Sequence, residues 1–598
     1  MNHSTISQMF LSSTTTYNNR NMYYYKTKGR WEGISGTEVR ITVKDLAFAL
    51  NSLDIGKGSN VALLSNNSPR WAMADYGIIC SGAASVSVYP TLIPSQIEYI
   101  INDSNSKVIF VENQEQLDKI KEIWESCPEL THAIVLDNSD SSDDNRIINF
   151  MKFLDIGTEF ETSSAKTFED LIKTSKSEDL LTLIYTSGTT GNPKGVMLTH
   201  ANMMGNIDGI TKHIEYKDDD SLLSFLPLSH SFERMCGHFT AFSVGAQVYY
   251  AENIEKVPEN LKEVHPTMVT SVPRLYEKIY SKIINGLKSA PKVRQNIFWW
   301  SYGIGKQQYE HMKNGGSTLP LLLGIKAKIA DKLVFSKVRD RFGGKLRFFV
   351  SGGAPLSKEI AEFFAALGIK IIEGYGLTET SPILTANTPE NQRLGSVGKS
   401  LYNVEIKIAD DGEILAKGPN IMKGYYNNPE ATKEAIDSDG WFHTGDIGHL
   451  DEDGYLFITD RKKNILVTSS GKNVAPAPIE SALVNSQFIE QSIVLGDNKN
   501  FISALIVPAK DSVKQALLSQ DKSLSEDEIM SNHVDVKALI QSEVDNAMEQ
   551  FSNYERVKEF SILPREFTLE SGELTPTLKV VRKVVLDNFS DEVDKIYS

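Results

Sequence analysis

Short apolar runs alternate with longer amphipathic segments from about residue 40 to residue 400, and this alternation limits the fold more than any other feature. The runs are four or five residues long and nearly continuous, as expected of strands that are buried on both faces. We predict strands at Val61–Leu64, Val86–Tyr89, Val108–Val111, Leu181–Tyr185, Leu222–Leu226, Met268–Val272 and Leu346–Val350, and helices such as Thr42–Leu53 and Lys358–Leu367. The pattern predicts an α/β fold with parallel sheets covered by helices.

The sequence changes character after residue 400. Val404–Ile408 and Glu413–Lys417 predict antiparallel strands, and the DEDG sequence at Asp451–Gly454 predicts a hairpin turn. The chain after Asp460 has enough helices and strands for a separate α+β domain of about 135 residues. We therefore expect a large N-terminal domain with a β-rich subdomain, followed by a small C-terminal domain. The Ser/Thr-rich first 20 residues are expected to be frayed.

Composition excludes several classes of protein. The chain has 598 residues, of which 41% are hydrophobic, so global disorder is excluded. The 62 Lys and Arg residues are outnumbered by 77 Asp and Glu residues, and a net charge of −15 argues against nucleic-acid binding. Cys80, Cys127 and Cys236 have no paired spacing, which argues against a disulfide framework or a metal cluster. We expect a cytoplasmic protein without a signal peptide or a membrane span.

One segment reverses the charge balance of the chain. Lys278–Arg347 contains 15 Lys or Arg and 3 Asp or Glu, a net charge of +12. Trp299 and Trp300 lie within it, as does the apolar run Leu319–Ile325. Two interpretations stay open: a solvated helical surface, or a patch that rests on an anionic membrane with aromatic side chains at the interface.

The sequence TSGTTGNPKG at Thr186–Gly195 is the strongest chemical signal and directly follows a predicted strand. Its glycines and hydroxyls can present successive hydrogen-bond donors to phosphate oxygens, and Lys194 adds a positive charge. A Gly-rich surface turn is the alternative on composition alone. The spacing of the glycines and the Gly195 that follows the lysine do not fit a Walker A loop. Phosphate binding is therefore predicted, but not an ordinary P-loop nucleotidase.

Four further motifs follow in order: YGLTET at Tyr375–Thr380, TGD at Thr444–Asp446, DRKK at Asp460–Lys463 and GELTPTLK at Gly572–Lys579. Together with TSGTTGNPKG they resemble the signatures of the adenylate-forming (AMP-binding) superfamily, from about residue 25 to the end. Three further segments resemble motifs of long-chain fatty acyl-CoA synthetases: LPLSHSFER at Leu226–Arg234, VPRLY at Val272–Tyr276 and SGGAPL at Ser351–Leu356.

The resemblance implies a role for each matched residue. It implies phosphate contacts by Thr186, Ser187, Gly188, Thr189, Thr190, Gly191, Lys194 and Thr378, and Mg²⁺ contacts by Thr186 and Glu379. It implies nucleotide or acyl-phosphate contacts by Gly352, Gly353, Glu373, Gly374, Tyr375, Gly376, Asp446 and Arg461, and an acyl contact by His230.

The resemblance also implies two domains. Lys463 matches an interdomain hinge, so the domains would be residues 1–461 and a mobile domain of residues 462–598. Lys579 matches a lysine that neutralises charge between the carboxylate and the α-phosphate. At positions 472 and 473 this chain has Lys472 and Asn473, where long-chain relatives commonly have an acidic residue followed by an aromatic residue.

The implied activity is an AMP-forming long-chain fatty acid:CoA ligase, with Lys579, Glu379, Thr378 and Lys194 as catalytic residues. Fatty acid, ATP with Mg²⁺, and CoA are the implied substrates and cofactors. Three alternatives stay open: a fatty acyl-AMP ligase that serves a carrier protein, a phosphotransferase that releases ADP, and a non-catalytic lipid-binding relative. Either a monomer or an oligomer is compatible with the sequence, which does not indicate acyl chain length.

Overall fold

The structure is a computed structural model that describes residues 3–137, 144–186, 192–313, 316, 318–469, 472–568, 570–575 and 580–597. The described strands are β1 (Asn21–Thr27), β2 (Arg30–Ser35), β3 (Asn60–Leu64), β4 (Ala84–Val88), β5 (Ser106–Val111), β6 (His132–Val135), β7 (Ile147–Asn149), β8 (Leu180–Thr186), β9 (Lys194–Thr199), β10 (Ser221–Ser224), β11 (Gln247–Tyr250), β12 (Met268–Ser271), β13 (Phe348–Ser351), β14 (Ile371–Gly376), β15 (Ile383–Ala386), β16 (Lys399–Ser400), β17 (Glu405–Ile408), β18 (Glu413–Lys417), β19 (Gly424–Tyr425), β20 (Phe442–Leu450), β21 (Leu456–Arg461), β22 (Leu466–Val467), β23 (Asn473–Val474), β24 (Ile489–Leu495), β25 (Ile502–Pro508) and β26 (Val557–Ile562).

The described α-helices are α1 (Ile6–Thr16), α2 (Gly36–Ser52), α3 (Pro69–Cys80), α4 (Pro94–Ser104), α5 (Gln114–Ile123), α6 (Phe150–Ser163), α7 (Phe168–Thr174), α8 (His200–His213), α9 (Ser231–Glu233), α10 (Ala241–Val244), α11 (Val257–Val264), α12 (Pro273–Lys288), α13 (Lys292–Lys313), α14 (Leu321–Ala330), α15 (Ser336–Arg339), α16 (Lys358–Ala366), α17 (Pro429–Ala435), α18 (Pro476–Val484), α19 (Lys510–Leu518), α20 (Glu526–Ile529), α21 (Val534–Met548), α22 (Arg582–Asn588) and α23 (Ser590–Tyr597). Arg234–Thr240 and Asp331–Phe335 are π-helical. None of the described helices is long and apolar enough to cross a membrane.

Two large sheets form the body of the chain before residue 462. One has the strand order β19-β9-β8-β4-β3-β5-β6-β7, and the other has the order β16-β15-β14-β13-β12-β10-β11-β1-β2. The inner strands pair in parallel, and antiparallel strands occur toward the edges. The wholly buried strand β3 shows why the apolar runs are nearly continuous: helices cover both faces of its sheet. The predicted α/β fold with parallel sheets is confirmed.

Three smaller sheets complete the fold. Strands β17, β18, β20 and β21 form the predicted antiparallel subdomain, and β22 pairs only with β23 in a two-stranded sheet of the described chain. Strands β24, β25 and β26 form the third sheet, in the part of the chain that follows residue 462. Two hydrophobic clusters are drawn entirely from residues 466–597, so this part of the chain has its own core.

Two predictions near the N-terminus are wrong. The first residues are not frayed, because α1 begins after the N-cap Thr5 and buries Ile6 and Phe10 in the main core. Helix α2 begins at Gly36 rather than after Thr42, because Ser35 and Glu38 form a capping box in which each side chain accepts a hydrogen bond from the other residue's backbone N–H.

Candidate functional site

The predicted phosphate-binding segment connects two strands of the eight-stranded sheet. Strand β8 ends at Thr186, strand β9 begins at Lys194, and these two residues are partners in the antiparallel ladder. Because the ladder closes at this pair, both residues lie at the same end of the sheet. The intervening phosphate contacts predicted at Ser187, Gly188, Thr189, Thr190 and Gly191 lie outside the described residues.

Tyr425 contacts both Lys194, the predicted phosphate-binding lysine, and Glu379, the candidate metal ligand. The ammonium of Lys194 lies 4.9 Å from the centroid of the Tyr425 ring, and the hydroxyl of Tyr425 donates a 2.9 Å hydrogen bond to Oε1 of Glu379. Burial and the neighbouring Glu379 charge raise the pKa of Tyr425, so its phenol stays protonated and continues to donate. The backbone N–H of Met422 also donates to the carbonyl of Glu379 over 2.8 Å. The fold thus brings Lys194 and Glu379 together across 185 residues of sequence.

Tyr375 and Asp446, the predicted adenine and ribose contacts, touch each other. The Tyr375 hydroxyl donates a 2.6 Å hydrogen bond to Oδ2 of Asp446, and Nε of Arg461 lies 3.0 Å from Oδ1 of the same carboxylate. Burial, and then the Asp446 charge, raise the pKa of Tyr375 well above its ordinary value. The hydroxyl of Thr444 accepts a hydrogen bond from the Asp446 N–H over 3.1 Å, which fixes the turn. Two predicted nucleotide residues, Tyr375 and Arg461, therefore converge on the buried carboxylate of a third, Asp446.

Glu413 holds the turn that carries Asp446, and the sequence motifs gave no sign of it. One carboxylate oxygen accepts a 3.0 Å hydrogen bond from the Gly445 N–H, and the other lies 3.0 Å from the ammonium of Lys462. Burial would raise the pKa of Glu413, but the hydrogen bonds from Lys462, His443 and Gly445 outweigh it and lower the pKa. Lys462 precedes the predicted hinge residue Lys463, which is exposed in a single 3₁₀ turn. Glu413 thus connects the turn of Asp446 to the residue that precedes the predicted hinge.

The predicted purine-binding segments lie at the ends of two neighbouring parallel strands. Gly352 and Gly353 follow β13, and a Cβ on Gly352 would lie 3.1 Å from the Phe232 ring. Glu373 and Gly374 belong to β14. Burial raises the pKa of Glu373 to about 8, so this side chain is largely protonated at neutral pH. At Gly376, a Cβ would lie 1.7 Å from the carbonyl oxygen of Pro382, so glycine is required there.

The short helix α9 contacts the nucleotide motif. The Ser231 hydroxyl lies 3.3 Å from the hydroxyl of Thr378, and Phe232 packs against Gly352. Nδ1 of His230 accepts a 3.2 Å hydrogen bond from the Phe232 N–H and so caps this short helix. The acyl contact of His230 stays a prediction.

Buried Arg234, which directly follows α9, links this region to helix α3 and to strand β8. Nε of Arg234 lies 3.0 Å from Oδ2 of Asp75, and its Nη1 donates a 2.7 Å hydrogen bond to Thr182 of β8. The side chains of Arg234 and Asp75 are both fully buried. Burial would raise the pKa of Asp75, but Arg234 and His238 outweigh it and lower the pKa. The sequence signal for this ion pair is Asp75 itself, the single acidic residue in the apolar segment WAMADYGIIC.

The segment that leads to Lys579 is held by Glu573. This buried carboxylate accepts hydrogen bonds from Arg565 (2.6 Å to each oxygen), Ser571 (2.6 Å) and Asn588 (2.9 Å). Burial opposes ionisation, but these donors outweigh it and lower the pKa of Glu573 to about 2. Lys579 itself lies outside the described residues. The structure therefore shows how the GELTPTLK motif begins.

Comparison with known proteins decides the family. A family model described as AMP-binding enzyme matches residues 12–426, and one described as AMP-binding enzyme C-terminal domain matches residues 463–598. The chain belongs to the AMP-binding enzyme family. The resemblance to adenylate-forming enzymes is thereby confirmed.

Relatives of this AMP-binding enzyme match over nearly their whole length. The long-chain-fatty-acid–CoA ligase FadD15 of Mycobacterium bovis is 35% identical over 580 residues, which cover 96% of this chain and 94% of the relative. The peroxisomal long chain acyl-CoA synthetase 6 of Arabidopsis thaliana is 32% identical over 97% of this chain and 84% of the relative. Among solved structures, the anthranilate CoA ligase AuaEII in complex with anthranoyl-AMP has a TM-score of 0.71 at 21% identity, covering 99% and 98% of the two chains. This last likeness concerns the fold alone.

Proposed function

We propose that this AMP-binding enzyme is an ATP-dependent long-chain fatty acid:CoA ligase that forms AMP and pyrophosphate. The observation that carries the proposal is the convergence of Lys194, Tyr425 and Glu379 at one end of the phosphate-binding strand. Curated relatives named long-chain-fatty-acid–CoA ligases, similar over almost the whole chain, support the substrate class.

The reaction proceeds in two half-steps because a carboxylate is a poor electrophile. A carboxylate oxygen attacks the α-phosphorus of ATP, the bond to the β-phosphate oxygen breaks, and pyrophosphate leaves. The CoA thiol then attacks the acyl carbon, loses its proton, and AMP leaves with the bonding electron pair. Positioning and charge neutralisation supply the rate enhancement.

The candidate site residues divide these tasks. Lys194 and Thr378 contact the phosphates, Tyr375 packs on adenine, and Asp446 accepts hydrogen bonds from the ribose hydroxyls. Arg461 holds the Asp446 carboxylate, while Gly352 and Gly374 leave room for the purine and acyl phosphate. Lys579 neutralises the charge that builds up between the carboxylate and the α-phosphate.

Mg²⁺ would enter this site with ATP. Glu379 offers one carboxylate and Thr186 one hydroxyl, and both are hard oxygen ligands. Within the described residues no group of three His, Cys, Asp or Glu could hold an ion alone. Such a sparse donor set suits Mg²⁺, which is usually bound by one or two carboxylates together with substrate phosphates.

We assign residues 1–461 to a nucleotide- and acyl-binding domain and residues 462–598 to a mobile domain that turns about Lys463. Contacts between the two parts include an ion pair between Arg274 and Glu490, a 3.0 Å hydrogen bond from Asn485 to the Ser357 hydroxyl, and the 3.0 Å contact of Lys462 with Glu413. Polar contacts of this kind can break and reform at small cost, which supports rotation between the half-reactions.

Isotope exchange tests the proposal directly. Labelled pyrophosphate should enter ATP only when a long-chain fatty acid is present, and adding CoA should yield acyl-CoA and AMP. A panel of acids of increasing chain length would define specificity. Exchange without a CoA thioester would instead identify a fatty acyl-AMP ligase, and a well-folded preparation that exchanges with none of the acids would refute the assignment.

We also propose a cytoplasmic location with peripheral contact between the basic segment 278–347 and an anionic membrane. Its net charge of +12 within a chain of net charge −15 supports this contact. Self-association of the chain is compatible with the proposed activity.

A further inference from the structure

Helix α14 has an exposed apolar face. Leu321 is 80% exposed, Leu322 74%, Ile325 50% and Ile329 47%. At about 100° per residue these four side chains fall within an arc of about 100° on the helix. Ala327 and Ala330 are buried and lie away from this arc, against the core formed with α13 and α16. The helix is therefore held by one face and presents the other to solvent.

Positive charge borders the apolar face. Lys326 and Lys328 are both exposed, and the helical spacing places one at each edge of the arc. The sequence from residue 311 to residue 330 contains no Asp or Glu. An apolar centre with lysines on both sides matches the order of layers at a bilayer surface, where anionic headgroups lie above the acyl chains.

The length of α14 and the positive charge around it indicate what covers its apolar face. Ten residues of helix measure about 15 Å, half the thickness of the hydrocarbon layer, so α14 can lie along a bilayer but cannot cross it. A second copy of the chain, docked through the same face, would bring two basic segments together, and like charges oppose that arrangement. An anionic lipid surface has the complementary charge.

We propose that α14 lies in the interface of an anionic bilayer, with Leu321, Leu322, Ile325 and Ile329 at the acyl boundary and Lys326 and Lys328 at the headgroup phosphates. This proposal deepens the membrane contact proposed above by naming the element that inserts. It does not depend on the ligase reaction, because none of these residues has been placed in the active site.

A single fluorescent label tests insertion. Cys80, Cys127 and Cys236 are buried, so the full-length variant Leu322→Cys can be labelled selectively with a polarity-sensitive dye. Vesicles of phosphatidylcholine with 30% phosphatidylserine should shift its emission to the blue, whereas a label at Ile254→Cys, another exposed apolar position, should not respond. No shift at residue 322 overturns the proposal. A shift without vesicles that grows with protein concentration also overturns it and identifies a second copy as the occupant.

Vesicle sedimentation separates the apolar and ionic contributions. The double variant Leu322→Ser/Ile325→Ser should bind anionic vesicles at least ~10-fold more weakly than the parent. The double variant Lys326→Gln/Lys328→Gln should weaken vesicle binding by about the same factor. The double variants Ile254→Ser/Val534→Ser and Lys433→Gln/Lys514→Gln are the controls. They change exposed residues of the same types elsewhere and should bind like the parent. Binding should fall as salt rises. Equal losses in the controls, or equal binding to pure phosphatidylcholine, would overturn the assignment.

Discussion

The hydroxyl of Tyr425 donates a 2.9 Å hydrogen bond to Oε1 of Glu379, and the same ring lies 4.9 Å below the ammonium of Lys194. One aromatic side chain therefore orients both the candidate metal ligand and the candidate phosphate-binding cation. Strand β19, which contains Tyr425, pairs with β9, which begins at Lys194, so the sheet itself sets this distance.

Tyr425→Phe should retain the ring and lose the hydrogen bond to Glu379. We expect the adenylation rate to fall about 10-fold and the Mg²⁺ concentration for half-maximal rate to rise, since an unfixed carboxylate binds the metal less well. Pyrophosphate exchange over a Mg²⁺ titration measures both effects. The neighbouring Tyr426→Phe is the matched control, and equal behaviour of the two variants would refute an orienting role for Tyr425.

Tyr375→Phe should loosen the Asp446 carboxylate, because it removes one of its two described contacts and leaves the one with Arg461. We expect the KM for ATP to rise about 3- to 10-fold, corresponding to one lost hydrogen bond of about 1 kcal/mol. The KM for the fatty acid should stay unchanged, because the proposed contacts of Tyr375 and Asp446 are with the nucleotide. Steady-state kinetics with each substrate varied in turn would reveal the difference, and a change confined to the fatty acid would contradict the assignment.

Lys579→Ala should abolish adenylation and spare thioester formation from supplied acyl-AMP. The physical reason is that only the first half-reaction brings two anions, the carboxylate and the α-phosphate, into contact. Single-turnover assays of the two half-reactions measure this separation, with Lys583→Ala as a nearby control in the same domain. Equal loss of both half-reactions would argue against the proposed division of labour.

Glu233→Gln should change how stability depends on pH. Burial raises the pKa of Glu233 from 4.5 to about 8, against the opposing hydrogen bond from Thr270. Between these two values the native state binds the proton more tightly than the unfolded state, so the free energy of unfolding contributed by Glu233 falls as pH rises. The Gln variant lacks this loss, so its stability relative to the parent should increase as the pH rises from about 4.5 to about 8 and stay constant above that.

Chemical denaturation at a series of pH values measures that difference. Glu430→Gln, an exposed position on α17, is the control and should follow the parent at every pH. A constant offset between the Glu233→Gln variant and the parent would show that Glu233 is ionised in the native state at neutral pH.

Predictions from local patterns succeeded where the pattern itself is the cause of the structure. Strand β3 was recognised because burial on both faces requires a continuous apolar run. The start of α2 was misplaced because a capping box at Ser35 and Glu38 extends the helix by six residues beyond its apolar repeat. The start of this helix depends on the polar side chains of Ser35 and Glu38, which the spacing of apolar residues does not reveal.

The sequence by itself determined the layered α/β architecture and the identity of the motif residues, because periodicity and glycine-rich spacing are properties of short segments. Only the tertiary structure decided that Tyr425 lies between Lys194 and Glu379, that Glu413 supports the turn of Asp446, and that Arg234 is neutralised by Asp75. These partners are separated by many residues along the chain. Their contacts follow from strand order and core burial, which no local pattern specifies.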